Sequence, residues 1–197
     1  TINDVVLAMS SGALRSYLTN FSALPEESLV AMVPISLHDR FESGGDNAVG
    51  TLMCHLGTNL PDPIDRLGTI RDCMRQGKDS LRSMTPMQVL AMSALGAAPA
   101  GAAMYFGRNP LPRPPFNVVI SNVAGPGAPL FWNGARLDAM HPLSVPIHGQ
   151  ALNITCTSND DMVSFGVTAC RRSVPDAESF PARLSTELAA LENAFGI

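Results

Sequence analysis

"NVVISNVAGPG" (117–127) runs a β-branched stretch straight into a glycine/proline turn. Val118, Val119, Ile120 and Val123 suit a pleated, half-buried surface, and Gly125-Pro126-Gly127 stops the run, so the segment reads as a buried strand feeding a tight turn. Gly125 and Gly127 permit backbone conformations barred to other residues and let a ligand come close to the chain. Ser121 and Asn122, at the strand end, would present a hydroxyl and an amide to such a ligand. An ordinary tight turn explains the same residues equally well.

Working outward, "PLFWNGARLDAMHPLSV" (129–145), "ALNITCTS" (151–158) and "DMVSFGVTA" (161–169) read as further short strands. "SNDD" (158–161) carries the hairpin signal between the last two. Asp160-Asp161 resembles a carboxylate dyad, but neighbouring strand residues point to opposite faces, and a hairpin tip is the plainer reading. Pro175-Asp176 opens a terminal amphipathic helix with Phe180, Leu184, Leu188, Leu191 and Phe195 on one side.

Upstream, "NPLPRPP" (109–115) reads as a linker. Before it, Val5, Met9, Ala13 and Tyr17 recur every four residues, which predicts a helix with Asn3 as its N-cap. "SLVAMVPISL" (28–37) and "AVGTLMCHLG" (48–57) read as strands buried on both faces, joined by the polar loop 38–47. "LPDPIDRLGTIRDCMRQGKDSLRS" (60–83) is an amphipathic helix presenting Ile64, Leu67, Ile70, Met74 and Leu81.

Thr85-Pro86 starts another helix, and from Ser83 to Gly107 no residue is charged. Its length would suit a membrane span of about 20 residues, but it is Ala-rich and interrupted by Gly96, Pro99 and Gly101. A buried core helix is the leading reading, and a helix facing lipid or an interface is the alternative. The order helix, strand, strand, helix, helix, strands, helix predicts a mixed α/β fold.

Composition narrows the function. At 197 residues the chain accommodates one domain or two small ones. Hydrophobic residues make up 46% and charged residues 15%, too apolar for extended disorder. A net charge of −4 without a basic stripe gives no case for nucleic acid. Cys54, Cys73, Cys156 and Cys170 are widely spaced, which argues against a zinc site or a disulfide framework and for reduced, mostly buried thiols.

The sequons at Asn20 and Asn153 read as chance matches. His38, His55, His141 and His148 form no paired motif; His55 reads as structural, and His141 and His148 as turn residues. There is no G-x-S-x-G elbow, P-loop or dinucleotide fingerprint, so local chemistry names no catalytic centre. Asn3-Asp4 stands out beside the 120–127 turn, although helix capping would account for it.

Together these segments resemble a known family. "NDVVLA" (3–8), "GALRSYL" (12–18), "VPISL" (33–37), "LPDPIDRLGTI" (60–70), "NVVISNVAGPGAPLFWNGARL" (117–137), "VPIHGQALNITCTSNDDMVSFGV" (145–167) and "VPD" (174–176) closely resemble the bacterial wax ester synthase/acyl-CoA:diacylglycerol acyltransferase family, mycobacterial in style. Ala124 departs from the proline common there.

The family's HHxxxDG motif, whose second histidine is the general base, is absent from these residues, so residues 1–197 look like the C-terminal domain of such an enzyme. The resemblance implies a fold like the C-terminal half of chloramphenicol acetyltransferase-like, CoA-dependent acyltransferases: a mixed sheet flanked by helices. It implies long-chain acyl transfer from acyl-CoA to diacylglycerol or a fatty alcohol, with no metal and no cofactor beyond the acyl-CoA co-substrate. The histidine would lie in an N-terminal half that pairs with this one.

On the same reading, Asn3 and Asp4 would support the active site. Ser121, Asn122, Gly125 and Pro126 would line the CoA or acyl side, and 84–107 would serve acyl chains or a membrane surface. The implied location is cytoplasmic, peripheral on the inner membrane or lipid droplets. A non-catalytic lipid-binding or interaction module on the same fold is the alternative.

Overall fold

The computed structural model describes residues 1–36, 49–85, 87–89, 91, 92, 94, 95, 98, 105, 115–146 and 149–197. The 38–47 loop, His38, His148 and all of the 109–115 linker except Pro115 lie outside them. The elements are α1 (Ile2–Asn20), β1 (Val30–Ser36), β2 (Val49–His55), α2 (Pro63–Ser83), β3 (Val118–Val123), β4 (Phe131–Trp132), β5 (Ala135–Arg136), β6 (Leu152–Asn159), β7 (Met162–Ala169), a 3-10 turn (Ala177–Ser179) and α3 (Phe180–Phe195).

Five strands form one mixed sheet in the order β2-β1-β3-β6-β7, and β4 and β5 form a separate hairpin. The pairs β1–β3 and β3–β6 are parallel, whereas β1–β2 and β6–β7 are antiparallel. The register puts Cys54 beside Ala31, Ala31 beside Val118, and Ile120 beside Ile154. These residues form one continuous apolar face, and α1, α2 and α3 pack on it through Leu7, Ile70, Met74, Phe180 and Leu184.

Among the described residues the helices α1, α2 and α3 cover that face, and β1 and β2 are not buried on both faces as their composition predicts. Ala31 and Val33 are fully enclosed while Met32 and Pro34 are only half-buried. β6 is the strand enclosed on both sides, since an extended segment after β5 runs over it. The Thr155 hydroxyl is 2.9 Å from that of Ser144, Asn159 Nδ2 donates to the Leu137 carbonyl (3.3 Å), and the Pro142 carbonyl lies so close to Gly166 that a Cβ there would collide. Asn153 is buried in β6, which removes it as a glycan acceptor.

Polar side chains join the layers. Ser11 donates to the Leu56 carbonyl (2.7 Å) and Arg15 to that of Thr58 (2.8 Å), tying α1 to the end of β2. Arg66, on α2, is buried; it donates to the carbonyls of Leu60 and Pro61 and pairs with Glu187 of α3 at 2.6 Å. Glu187 fills the space above Gly12, so α1 approaches α3 where the glycine leaves room.

Several expected details differ. The N-cap of α1 is Thr1, whose hydroxyl accepts the Asp4 N–H in a reciprocal capping box, so Asn3 lies inside the first turn. Ile64 is exposed because it falls at the start of α2, outside the α1–α3 contact. The terminal helix begins at Phe180, after the 3-10 turn, and Leu188 and Phe195 face outward.

Within 129–145 only β4 and β5 pair, through an Asn133-Gly134 turn with positive φ at both residues. Thr85 and Gln88 cap each other, and Met87–Val89, Ala91, Met92, Ala94, Leu95, Ala98 and Tyr105 are helical. Val89 is buried, but Met87, Met92, Leu95 and Tyr105 are exposed, which overturns the buried core helix at the described positions. No helix among the described residues is long and apolar enough to cross a membrane.

Candidate functional site

Asn3 and Asp4 occupy the first turn of α1, beside the C-terminal end of β2. The Asp4 carboxylate is 8% exposed and accepts the Thr1 hydroxyl at 2.8 Å. Its charge also helps raise the pKa of Cys54 across the interface, behind burial and the adjacent Cys73 thiol. Asp4 opens onto a groove of about 220 Å³ whose other wall is α2, with Arg71, Met74, Arg75 and Lys78. Arg75 is already paired with Asp72 at 2.8 Å.

Asn3 differs from its neighbour in one respect. Its Nδ2 is buried and has no hydrogen-bond partner among the described residues. A buried amide N–H left without an acceptor costs stability.

The structure separates the residues of the 120–127 turn. Ser121 and Asn122 are adjacent on β3 and point to opposite faces. Ser121 is beside Thr155 on the face without helices, whereas Asn122 is on the helix side, where its Oδ1 accepts the Cys156 thiol at 3.4 Å. Gly125 donates its N–H to Ser158 Oγ (2.9 Å), and a Cβ there would collide with the Ser158 carbonyl. Its bareness is therefore used by β6 itself, and neither Gly125 nor Gly127 has positive φ. The Pro126 carbonyl accepts the Asp160 N–H at 2.9 Å, pinning the turn to the β6–β7 hairpin whose tip is Asp160-Asp161.

Away from α1, the β4–β5 hairpin and the segment after it carry apolar side chains that this chain leaves bare. Trp132 is 86% exposed, and Phe131, Leu143 and Val145 are also exposed. Residue hydropathy alone does not reveal this, because the same side chains in a paired strand would be core. Asn133-Gly134 signals a two-residue hairpin, and β4 and β5, two residues each, pair only with each other.

His55, at the end of β2, and His141 are both exposed. A second cavity, of about 590 Å³, lies at the other end of β6 and β7 against Gln150, Cys170 and Ser173. Hydrogen bonds from the Ser173 and Arg172 backbone lower the Cys170 pKa. Among the described residues, no three His, Cys, Asp or Glu side chains are grouped to hold a metal.

A mixed sheet whose described helices α1, α2 and α3 pack on one face belongs to a CoA-dependent acyltransferase-like fold. The starter condensation domain of rhizomide synthetase shares it, with a TM-score of 0.52 at 13% identity over 98% of this chain and 42% of that one. A wax ester synthase/diacylglycerol acyltransferase from Marinobacter aquaeolei matches more closely, with a TM-score of 0.84 and 40% identity over 100% of this chain and 44% of that one.

The chain belongs to the WS/DGAT C-terminal domain family, whose model matches residues 45–192. A Mycobacterium bovis protein named as a diacylglycerol O-acyltransferase is 53% identical over 196 residues, covering 97% of this chain and 39% of the relative. A Mycobacterium tuberculosis protein similarly named is 47% identical over 198 residues, covering 100% and 44%. This chain therefore spans less than half the length of the relatives it matches.

Proposed function

We propose that this chain, over residues 1–197, is the C-terminal domain of an O-acyltransferase that moves a long-chain acyl group from acyl-CoA to diacylglycerol or a long-chain alcohol. The observation that carries the reading is the 40% identity, over the whole chain, to a wax ester synthase/diacylglycerol acyltransferase structure. A histidine of the N-terminal half removes the acceptor hydroxyl's proton. The oxygen attacks the thioester carbonyl, and the C–S bond breaks to release CoA. Acyl-CoA enters as a substrate, and no resident cofactor is required.

In this reading the present chain supplies a wall of the site. The unpartnered amide of Asn3 holds the acceptor or the base, and Asp4 fixes that first turn through the Thr1 capping box. Ser121, Asn122, Gly125 and Pro126, at the end of β3, border the CoA or acyl side. The bare Trp132 hairpin meets the N-terminal half. The exposed Met92, Leu95 and Tyr105 rest on the inner membrane surface or a lipid droplet from the cytoplasmic side.

The test is product analysis on the full enzyme, given long-chain acyl-CoA with diacylglycerol or with a fatty alcohol. Triacylglycerol or wax ester formed with release of CoA is the expected result. Saturable acyl-CoA binding with no product from either acceptor would assign a lipid-binding module instead.

A further inference from the structure

Two cysteines that acyl transfer does not use face each other across an element interface. Cys73 lies on α2 and Cys54 on β2, the strand that α2 covers. The Cys73 thiol also donates to the carbonyl of Met53 at 3.5 Å, the residue next to Cys54 in the chain. The Cys54 thiol is 3.6 Å from the carbonyl of His55 on the other side. Cys54 is fully enclosed, whereas Cys73 is partly exposed.

The other cysteines are out of reach. Cys156 sits on β6, three places from β2 in the sheet, or about 14 Å at the usual strand spacing. Cys170 follows β7, one strand further. A disulfide requires Cα atoms within about 7 Å.

We propose that Cys54 and Cys73 are a redox-active pair that closes to an intramolecular disulfide under peroxide and reopens with a dithiol. Cys73 reacts first because solvent reaches it. Burial, the adjacent Cys73 thiol and the Asp4 carboxylate all hold Cys54 in its protonated form. The Cys73 thiolate attacks one oxygen of hydrogen peroxide; an S–O bond forms, the O–O bond breaks, and the departing hydroxide is protonated to water. The Cys54 sulfur then attacks the sulfenic sulfur of Cys73. The S–S bond forms, the S–O bond breaks, and the hydroxide leaves as water with the Cys54 proton. Two thiols are oxidised and one peroxide is reduced to two waters.

Closure would cross-link β2 to α2 beneath the groove that Asp4 lines. The pair acts whether or not the acyl-transfer reading holds, since it rests on thiol geometry alone.

The experiment treats the full chain with hydrogen peroxide, alkylates remaining thiols and digests with trypsin. The expected product is the 72–75 peptide joined to the 41–66 peptide, lighter by two hydrogens than the separate pair and restored to two alkylatable peptides by dithiothreitol. Cys73→Ser, at a partly exposed position, should abolish the linked species and leave Cys54 alkylatable after denaturation. The proposal is overturned if the native chain keeps both thiols alkylatable after peroxide. It is equally overturned if Cys73 accumulates as sulfinic acid beside a free Cys54, or if Cys73 is recovered only in intermolecular disulfides.

Discussion

Asn3 carries the sharpest residue-level consequence, because the structure assigns the helix cap to Thr1 and leaves Asn3 Nδ2 without a partner among the described residues. Replacing it by Ser removes that Nδ2 donor. In the complete enzyme Asn3→Ser should leave the melting temperature unchanged and lower kcat/KM about tenfold or more, the weight of one hydrogen bond in a water-poor site. Full activity would return Asn3 to a structural role. Sequence reading singled out the Asn3-Asp4 pair but gave the cap to the wrong residue, since Asn and Thr are both accepted as caps and periodicity does not mark the first helical residue.

Cys156 supplies the pH-dependent residue. Burial pushes its thiol up to about 11 from 9.0. The folded state thus holds that proton more tightly than the unfolded one, and the stability it contributes is present below pH 9 and lost as pH rises toward 11. Urea titrations of the native chain and Cys156→Ala should show a smaller alkaline loss in the variant between those pH values.

Among the elements, the packing of α1, α2 and α3 is set by one glycine and one buried ion pair. Gly12→Ala drives a methyl group into Glu187 and should cost about 1–3 kcal/mol in chemical denaturation. Glu187→Ala leaves Arg66 buried without its carboxylate and should cost more, about 3–5 kcal/mol. The two effects should be markedly less than additive, because both act on the same carboxylate.

The order of strands and helices was legible because the periodicity of α2 and the β-branched run in β3 are local properties. Which strand is buried on both faces was not, since it depends on where a later segment returns. Leu137 and Ser144 lie over β6 and Pro142 over Gly166 of β7, and among the described residues no such contact is seen on the outer face of β1. The helical positions after Thr85 misled for a related reason: an apolar composition does not say whether the partner lies within the same chain.

The β4–β5 hairpin raises the same question. Trp132→Ser should leave the stability of this chain within about 0.5 kcal/mol, as expected of a bare surface position. It should weaken association with the N-terminal half, measured by titration calorimetry. Equal association by both forms would remove the hairpin from that contact.

At the scale of the whole molecule, the relevant facts are the half-length coverage of its relatives and a sheet whose described helices α1, α2 and α3 pack on one face. Family membership was readable because "NDVVLA" and the Ser121–Pro126 turn are specific strings. The chemistry was not, because the proposed base lies in the other half. A missing general base typically costs 10²–10⁴-fold. The most direct measurement follows CoA release from a long-chain acyl-CoA, with diacylglycerol as acceptor, by this chain alone, by the N-terminal half alone and by the two combined. The account predicts turnover only when both halves are present. Turnover by this chain alone would contradict it.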